Sequence, residues 1–245
     1  MSPVHDALLI DVGNSRLKWA LATGGRLSDV RAVAHHGVPA RALRALRVPR
    51  VTSIWMAHVV GPHEQQLRAT LGARFGVAPR IVRTQKECAG LRVAYADASR
   101  LGVDRWLAML ALWSRARRPF CVAVAGTALT FDAVDARGRH QGGLIAPGLA
   151  SAWGAVKGTT RFALKHNPHY TRGLGADTDA CVRQGALYAC AGLIERAARG
   201  AQSARSRRYL AGGDARTLHA HLDGRWTLKE HLVLEGLLAY AKEHS

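Results

Sequence analysis

The sequence contains few cysteines and no long apolar run, and each shortage excludes a class of protein. Its 245 residues include four cysteines, none of them in a Cys-x-x-Cys pair, so we expect neither a disulfide-rich scaffold nor a cysteine-bound zinc ion. No uncharged apolar run reaches the ~18 residues that a membrane-spanning helix needs. His5 and Asp6 stand where a secretory signal would carry basic residues. We therefore expect a cytoplasmic protein without a membrane partner.

Several common nucleotide and metal signatures are also missing. There is no Gly-x-x-x-x-Gly-Lys-[Ser/Thr] loop and no Gly-x-Gly-x-x-Gly after a predicted strand, which excludes the commonest ATP site and a dinucleotide site. The His-Arg-Asp and Asp-Phe-Gly signatures of protein kinases are absent as well. No His-Glu-x-x-His pattern accompanies the twelve histidines, so we interpret them as surface residues.

Acidic residues are scarce, and 17 Asp and Glu against 35 Lys and Arg give a formal net charge of +18. Such a charge raises nucleic acid or another polyanion as a partner. The basic residues are spread along the chain, however, with short clusters only at 115–118 and 205–208. We therefore favour a generally cationic surface and expect no nucleic-acid partner. A basic nucleic-acid-binding or regulatory protein without catalysis is the alternative, recognisable by binding that weakens steeply with salt.

The order of apolar segments predicts an α/β fold. A strand at 51–60, a helix at 62–75 and a strand at 80–82 alternate with crossovers long enough for parallel pairing. Other elements are predicted as a strand at 27–34, a loop at 84–99, a helix that starts within 101–113 and ends at 115–118, helices at 149–156 and 177–199, a strand at 208–211 and a final helix at 229–242. The later part repeats the design of the earlier part, so we predict two halves, 1–118 and 119–245, joined near Pro119.

The stretch from Leu8 to Lys18 is the strongest candidate site. The apolar, β-branched run at 7–12 and a second apolar run flank a Gly-Asn-Ser break, which is hairpin spacing. Asp11 would end the first strand with a carboxylate suited to Mg²⁺, and Gly13 would let backbone N–H groups approach a phosphate. Further donors and a cation follow in Asn14, Ser15 and Lys18. The alternative is an ordinary hairpin whose Asp and Asn favour the turn.

The stretch 120–134 repeats this arrangement, with an apolar strand, a turn at Gly126 and Thr127 and a second strand. If Gly13 is laid on Gly126, Asp11 falls on Val124. We interpret the repeat as an internal duplication of a nucleotide-binding half. A Gly-Gly-Asp at 212–214 follows a predicted strand and would either admit a nucleoside or form a plain turn.

A third candidate motif opens the predicted helix after Gly102. Asp104, at the mouth of this helix, is placed to take a proton from a substrate hydroxyl. Arg105 is suited to clamp a substrate carboxylate. Without a substrate, the same two residues would be a helix-terminal acid and a surface charge pair.

Together these motifs resemble those of type III pantothenate kinases. The matching segments are Asp11 to Lys18 (Asp-x-Gly-Asn-Ser-x-x-Lys), Gly102 to Arg105 (Gly-x-Asp-Arg), Gly126 to Ala128 (Gly-Thr-Ala) and Gly142 to Gly148 (Gly-Gly-x-Ile-x-Pro-Gly). The resemblance implies an α/β, duplicated RNase H-like fold of the actin-like kinases, with two similar halves and a nucleotide cleft between them. It implies ATP-dependent phosphorylation of pantothenate to 4'-phosphopantothenate, the first step of coenzyme A biosynthesis. Another small-molecule kinase of the same superfamily is the alternative, which a substrate panel would distinguish.

The resemblance also implies roles for particular residues. Asp104 is similar to the family's general base, and Asp11 would be the ligand of the Mg²⁺ that accompanies ATP. The residues expected to hold ATP are Asp11, Val12, Gly13, Asn14, Ser15, Arg16, Leu17, Lys18 and Thr127. The residues expected to hold pantothenate, at the interface of a homodimer, are Tyr95, Gly102, Val103, Asp104, Arg105 and Thr178.

One position departs from the family's pattern. The family has Asp three residues before the threonine of Gly-Thr-Ala, where it binds a monovalent cation such as K⁺ or NH₄⁺, and this sequence has Val124. An isopropyl group cannot coordinate K⁺, because hard cations need oxygen ligands. The cation role is therefore doubtful here, although Asp132 and nearby backbone carbonyls could substitute.

Overall fold

The computed structural model of the protein describes residues 7–159, 170–171, 173–201 and 206–244. The chain forms two compact units: unit 1 contains residues up to 117 together with those from 231, and unit 2 contains 118–230. The first crossing between the units lies beside Pro119, where the sequence predicts a junction. The C-terminal helix, however, belongs to unit 1, whereas the sequence analysis placed it with the second half.

Strands and helices alternate through both units. The strands are β1 Ala7–Val12, β2 Arg16–Thr23, β3 Arg26–Leu27, β4 Arg31–Ala34, β5 Ile54–His58, β6 Arg80–Ile81, β7 Glu87–Cys88, β8 Leu91–Arg92, β9 Phe120–Ala125, β10 Ala128–Val134, β11 His140–Pro147, β12 Arg207–Ala211 and β13 Thr227–Lys229. The α-helices are α1 Pro39–Ala42, α2 Glu64–Phe75, α3 Val103–Ala116, α4 Leu149–Thr159, α5 Thr178–Gly200, α6 Ala215–His219 and α7 Leu232–Glu243. Short 3₁₀ turns lie at Leu43–Ala45, Gly61–His63 and Ala98–Arg100.

Unit 1 is organised around the buried strand β1. Its main sheet has the order β3-β2-β1-β5-β6, with β4 also paired to β2. Strand β1 is antiparallel to β2 and parallel to β5. All six residues of β1 are buried, and Ile10 and Val12 pack in a core with Leu43 and Leu67. Asp11 is thereby fixed near the carboxyl end of a central strand.

Helices α3 and α7 pack on each other in unit 1. Nine consecutive residues of α3, from Arg105 to Trp113, are buried. A Cβ placed on Gly236 of α7 would lie only 2.1 Å from the carbonyl oxygen of Leu107 in α3. This close backbone approach explains why α7 joins unit 1, since a glycine in its middle lets the two helices meet.

Unit 2 repeats the sheet of unit 1. Its order is β11-β10-β9-β12-β13, with β9 antiparallel to β10 and parallel to β12. Strands β9, β10, β12 and β13 thus match β1, β2, β5 and β6 in order and direction. Helices α4 and α5 connect β11 to β12, and the Asp177 carboxylate caps α5 by accepting from the Ala180 N–H at 2.8 Å. The predicted duplication and the predicted cap are both confirmed.

Three local predictions differ from the structure. The strand predicted at 27–34 is divided into β3 and β4, because the Ser28 hydroxyl accepts the Leu21 N–H at 3.0 Å and interrupts the ladder. The loop predicted at 84–99 contains the hairpin of β7 and β8. The final helix begins at Leu232, since Lys229 ends strand β13 in register with Ala211. Across the described residues, no helix combines the length and hydropathy that a membrane crossing requires.

Candidate active site

The turn between β1 and β2 carries the first predicted motif. The Gly13 N–H donates to the Arg16 carbonyl at 3.0 Å, and Asp11 pairs with Lys18 across the antiparallel strands. The side chains of Asn14, Ser15 and Arg16 are exposed, whereas Asp11 is buried. The turn therefore presents exposed polar groups, which can bind phosphate oxygens, next to a buried carboxylate.

His35 stabilises this turn by hydrogen bonds, and its role was not predicted from the sequence. Its Nε2 lies 2.8 Å from the Gly13 carbonyl oxygen, and its Nδ1 accepts the Gly37 N–H at 3.2 Å. Because Nδ1 accepts, these partners assign the ring proton to Nε2, which donates to Gly13. The His35 backbone N–H also donates to the Ser15 carbonyl at 3.2 Å. The interpretation of every histidine as a surface residue is wrong for His35, His58 and His140, which are all buried.

The buried position of Asp11 changes its acidity. Burial raises the pKa of Asp11 to about 7, against a lowering influence of Lys18 and with a further raising influence of Asp104. The charges of Lys18 and Asp104, both in unit 1, therefore influence the pKa of Asp11. A poorly solvated carboxylate is stabilised in its charged form by a nearby cation, so Asp11 is suited to a metal ion that arrives with phosphate.

Asp104 lies in the first turn of α3, two residues after the N-cap Gly102. Its Oδ1 accepts the backbone N–H of Arg105 at 2.9 Å, and the positive end of the helix favours a carboxylate at this place. A Cβ on Gly102 would lie 2.7 Å from the same Oδ1. Glycine at this position therefore leaves room for the carboxylate, and the predicted placement of Asp104 at a helix mouth is confirmed.

Arg105 and Tyr95 meet beside this helix start. The Arg105 side chain is 5% exposed, its Nη1 donates to the Tyr95 hydroxyl at 3.1 Å, and its guanidinium lies 6.0 Å from the ring centroid. The Tyr95 carbonyl in turn accepts from Lys86 Nζ at 2.5 Å. Arg105 is thus a buried, oriented cation, which excludes the alternative of a solvated surface charge.

The second turn, in unit 2, is built by close backbone contacts. The Gly126 N–H donates to the Ala128 carbonyl at 3.0 Å, and Thr127 is exposed. A Cβ on Gly148 would lie 1.9 Å from the Gly126 carbonyl oxygen, and one on Gly212 would lie 2.0 Å from that of Ala125. The Pro147-Gly148 segment and the Gly-Gly-Asp segment at 212–214 therefore converge on this turn, because glycine alone fits at Gly148 and Gly212.

The structure places Val124 at the position that corresponds to Asp11. Val124 pairs with Thr130 across β9 and β10, as Asp11 pairs with Lys18 across β1 and β2. Asp132, the suggested substitute ligand for a cation, is 2% exposed and lies 2.9 Å from His140 Nε2. The Asp132 carboxylate is therefore engaged with a buried histidine.

Thr178 lies in unit 2, apart in the chain from the other expected substrate residues. It lines a cavity of about 800 Å³ together with Ala152 and Val156 of α4 and with Cys181 of α5. Unit 1 thus brings together Asp11, Lys18 and Asp104 in one group and Tyr95 and Arg105 in another, while Thr127 and Thr178 belong to unit 2. Among the described residues, no cluster of three or more His, Cys, Asp or Glu could hold a metal ion by itself.

We expect Asp11→Asn to stabilise the ligand-free protein at alkaline pH. In the unfolded chain Asp11 loses its proton near its usual pKa of 3.8, whereas in the native state it keeps the proton up to about 7. The native state therefore binds more protons in this window, and wild-type stability falls as the pH rises through it. The Asp11→Asn variant has no carboxyl group at this position, so its stability does not fall for this reason.

Urea midpoints at about pH 5, 6 and 8 measure the effect. The urea midpoint of Asp11→Asn minus that of wild type should grow with pH and level off above about 7. Asp29→Asn, which changes an exposed aspartate of the same unit, is the matched control. A difference that is independent of pH would contradict the raised pKa.

Relatives of this chain among curated proteins include type III pantothenate kinases of several bacteria. A family model for type III pantothenate kinase matches residues 7–200. The type III pantothenate kinase of Xanthomonas oryzae pv. oryzae is 40% identical over 239 residues, which cover 95% of this chain and 96% of the relative. The type III pantothenate kinase of Nitrosococcus oceani is 32% identical over 258 residues, which cover 97% of this chain and 94% of the relative.

Solved structures with lower identity share the fold. A Campylobacter jejuni protein, provisionally described as a Baf family transcriptional activator, has a TM-score of 0.64 at 19% identity, covering 97% of this chain and 98% of that one. The activator of the 2-hydroxyisocaproyl-CoA dehydratase from Clostridium difficile, with bound ADPNP, has a TM-score of 0.53 at 10% identity, covering 95% and 91%. These likenesses agree with the duplicated RNase H-like fold of the actin-like kinases. Because the family model spans most of the sequence and the relatives match nearly their whole length, the chain belongs to the type III pantothenate kinase family.

Proposed function

We propose that the chain catalyses the reaction for which its family is named, the ATP-dependent phosphorylation of pantothenate to 4'-phosphopantothenate, which starts coenzyme A synthesis. The observation that carries this proposal is the grouping of Asp11, Lys18 and Asp104 in unit 1, where both charges act on the pKa of Asp11. Phosphoryl transfer needs little more than positioned phosphates, compensated charge and a base near the attacking hydroxyl. The three side chains supply a metal ligand, a cation and a base.

Asp104 is the general base of the proposed reaction. It takes the proton of the primary hydroxyl of pantothenate while that oxygen forms a bond to the γ-phosphorus of ATP and the bond from phosphorus to the ADP oxygen breaks. The hydrogen bond from the Arg105 N–H to Asp104 Oδ1 at 2.9 Å orients the carboxylate. A fixed carboxylate at a helix mouth meets the geometric requirement for a general base.

The two turns are the proposed ATP contacts. Exposed groups of Asn14, Ser15, Arg16 and Thr127 and backbone N–H groups would bind phosphate oxygens, and Lys18 would offset the charge that develops in the transition state. Val12 and Leu17 are buried strand ends, so their role would be to hold the backbone of the turn.

Asp11 is the residue that would hold Mg²⁺ with ATP. A buried carboxylate whose pKa is raised to about 7 fits a metal ion, which would restore its charged form. Mg²⁺ in phosphate sites commonly takes one or two protein carboxylates, with substrate phosphates and water completing its shell. The ion would supply neutralisation of phosphate charge.

Arg105 and Tyr95 are the proposed contacts of the pantothenate carboxylate. The guanidinium is already oriented by the Tyr95 hydroxyl at 3.1 Å, and a planar fork of donors matches a carboxylate in two contacts. Gly102 and Val103 would shape the entrance beside Asp104, and Thr178 would add a hydroxyl from unit 2.

A homodimer with the pantothenate site at its interface is part of the proposal. Leu174 and Tyr188, which are 90% and 55% exposed, are the kind of surface residues that a partner would cover. Sedimentation at assay concentration should show a dimer, and a fully active monomer would contradict it. We also place the enzyme in the cytoplasm, which fractionation of cells would test.

Release of ADP should depend on pantothenate. A coupled assay with and without pantothenate tests the reaction, and a panel of other small alcohols tests its specificity. Preference for a different alcohol would favour another kinase of the superfamily. Absence of turnover with every alcohol would contradict a kinase function.

Asp104→Asn should lower kcat by ~10²–10⁴ while leaving ATP affinity within about twofold, because it removes a base without removing a phosphate contact. Initial rates and equilibrium nucleotide binding measure the two effects, with Asp29→Asn as the exposed control. A variant that retains more than about half of wild-type kcat would refute the role, since even a tenfold loss is only ~1.4 kcal/mol.

His35→Ala should raise the KM for ATP about tenfold with little change in the KM for pantothenate, because the Gly13 carbonyl loses its buried donor. His35→Gln, which keeps a donor, should recover part of the loss. His36→Asn, at the exposed neighbouring position, is the control. Equal effects on both KM values would indicate general damage to unit 1.

Turnover should depend weakly on K⁺ or NH₄⁺, because Val124 offers no oxygen side chain and Asp132 is bound to His140. Rates in a buffer with a bulky organic cation, then with K⁺ or NH₄⁺ at constant ionic strength, measure this dependence. A rise of about tenfold or more, ~1.4 kcal/mol of barrier, would show that a monovalent cation still acts productively.

A further inference from the structure

A basic groove lies along the edge strand β13 and its neighbour β12 in unit 2. Its volume is about 550 Å³, and its lining consists of Ser206, Arg207, Arg208, Tyr209, Arg225, Thr227 and Lys229. Four of these seven residues carry a positive charge, and none carries a negative charge. We call these seven residues the basic groove. Arg205, the remaining member of the basic cluster noted in the sequence, lies outside the described residues.

The cations of the groove have no acidic partner among the residues that the structure describes. Among the described parts of the chain, none of the four forms an ion pair, and Glu230, which directly follows Lys229, pairs with Arg216 at 2.9 Å. Like charges held close together cost free energy unless an anion lies between them. The described residues therefore leave the positive charge of the groove uncompensated.

Two of the cations are held in place by aromatic rings. The Arg208 guanidinium lies 6.0 Å from the ring of the buried Trp226, and Lys229 Nζ lies 6.0 Å from the ring of the buried Tyr209. A Cβ on Gly224 would lie 3.2 Å from Arg208 Nη1, so the guanidinium is packed on that side as well. These contacts orient the charges before a ligand binds and reduce the entropy that binding would cost.

The basic groove is distinct from the turn that carries Thr127. Strand β12 is parallel to β9, with Arg207 opposite Phe120 and Ala211 opposite Val124. Arg207 therefore lies at the amino ends of these strands. The turn at Gly126 follows the carboxyl end of β9, about 20 Å beyond Phe120 at ~3.3 Å per residue. No residue of the groove takes part in the proposed reaction.

We propose that the basic groove binds a small anion that carries two or more phosphate groups. Guanidinium forks match phosphate oxygens in paired contacts, and the hydroxyls of Ser206 and Thr227 add donors. The volume lies within the usual range for small-ligand sites. A single monovalent anion would leave most of the charge uncompensated, whereas linked phosphates would contact several of the cations at once.

Inorganic tripolyphosphate is the probe, titrated calorimetrically into the full chain while a non-hydrolysable ATP analogue saturates the nucleotide site. Wild type should bind it with an affinity that falls as salt rises, and orthophosphate should bind at least about tenfold more weakly. The double variant Arg207→Gln/Arg225→Gln should lose about tenfold or more in affinity. The matched double variant Arg137→Gln/Arg139→Gln, at exposed positions of the same unit, should bind like wild type.

Three results would overturn the proposal. Equal loss in both double variants would indicate general charge attraction, and equal affinity for orthophosphate and tripolyphosphate would indicate a simple counterion site. Tighter binding of a single-stranded oligonucleotide that is lost only in the groove variant would assign the surface to nucleic acid. If the groove variant unfolds, the single change Arg225→Gln, at an exposed residue before β13, takes its place, and kinase turnover within about twofold of wild type confirms its folding.

Discussion

The burial of one carboxylate organises unit 1. Asp11 lies on a strand whose residues are all buried, and Lys18 on the neighbouring strand supplies the charge that lowers its pKa. Asp104 acts in the opposite sense, because a second negative charge raises the pKa of Asp11 further. The same arrangement that makes the free protein less stable at high pH therefore favours the binding of positive charge. Proteins often have such locally destabilising groups at their functional sites.

The internal repeat shows how one backbone design can carry two chemistries. Both sheets have the same strand order and direction, yet the pair Asp11 and Lys18 in unit 1 corresponds to Val124 and Thr130 in unit 2. The first pair is charged and the second is uncharged. The two units therefore share one backbone arrangement around the turn, and the side chains at equivalent positions give the two turns different chemistry.

Features set by short stretches of sequence could be predicted, and features set by distant backbone atoms could not. The hairpin at Gly13, the helix mouth at Asp104 and the cap at Asp177 follow from neighbours in the chain, and the structure contains each of them. His35 was missed because its partners are a carbonyl and an amide whose positions depend on the folded turn. The division of the predicted strand at 27–34 depends on a Ser28 hydroxyl that replaces one ladder bond, which no periodicity reveals.

The membership of α7 in unit 1 has a consequence for synthesis on the ribosome. Unit 2 is one continuous stretch, 118–230, whereas unit 1 is completed only by residues from 231 onward. Leu232, Leu234 and Leu237 of α7 are buried, and Gly236 meets the backbone of α3. Because chains emerge amino terminus first, α3 stays without its partner helix until the residues from 231 onward have been made. The unit that begins first is therefore the last to be finished, and the buried apolar face of α3 is the surface that must be protected in the meantime.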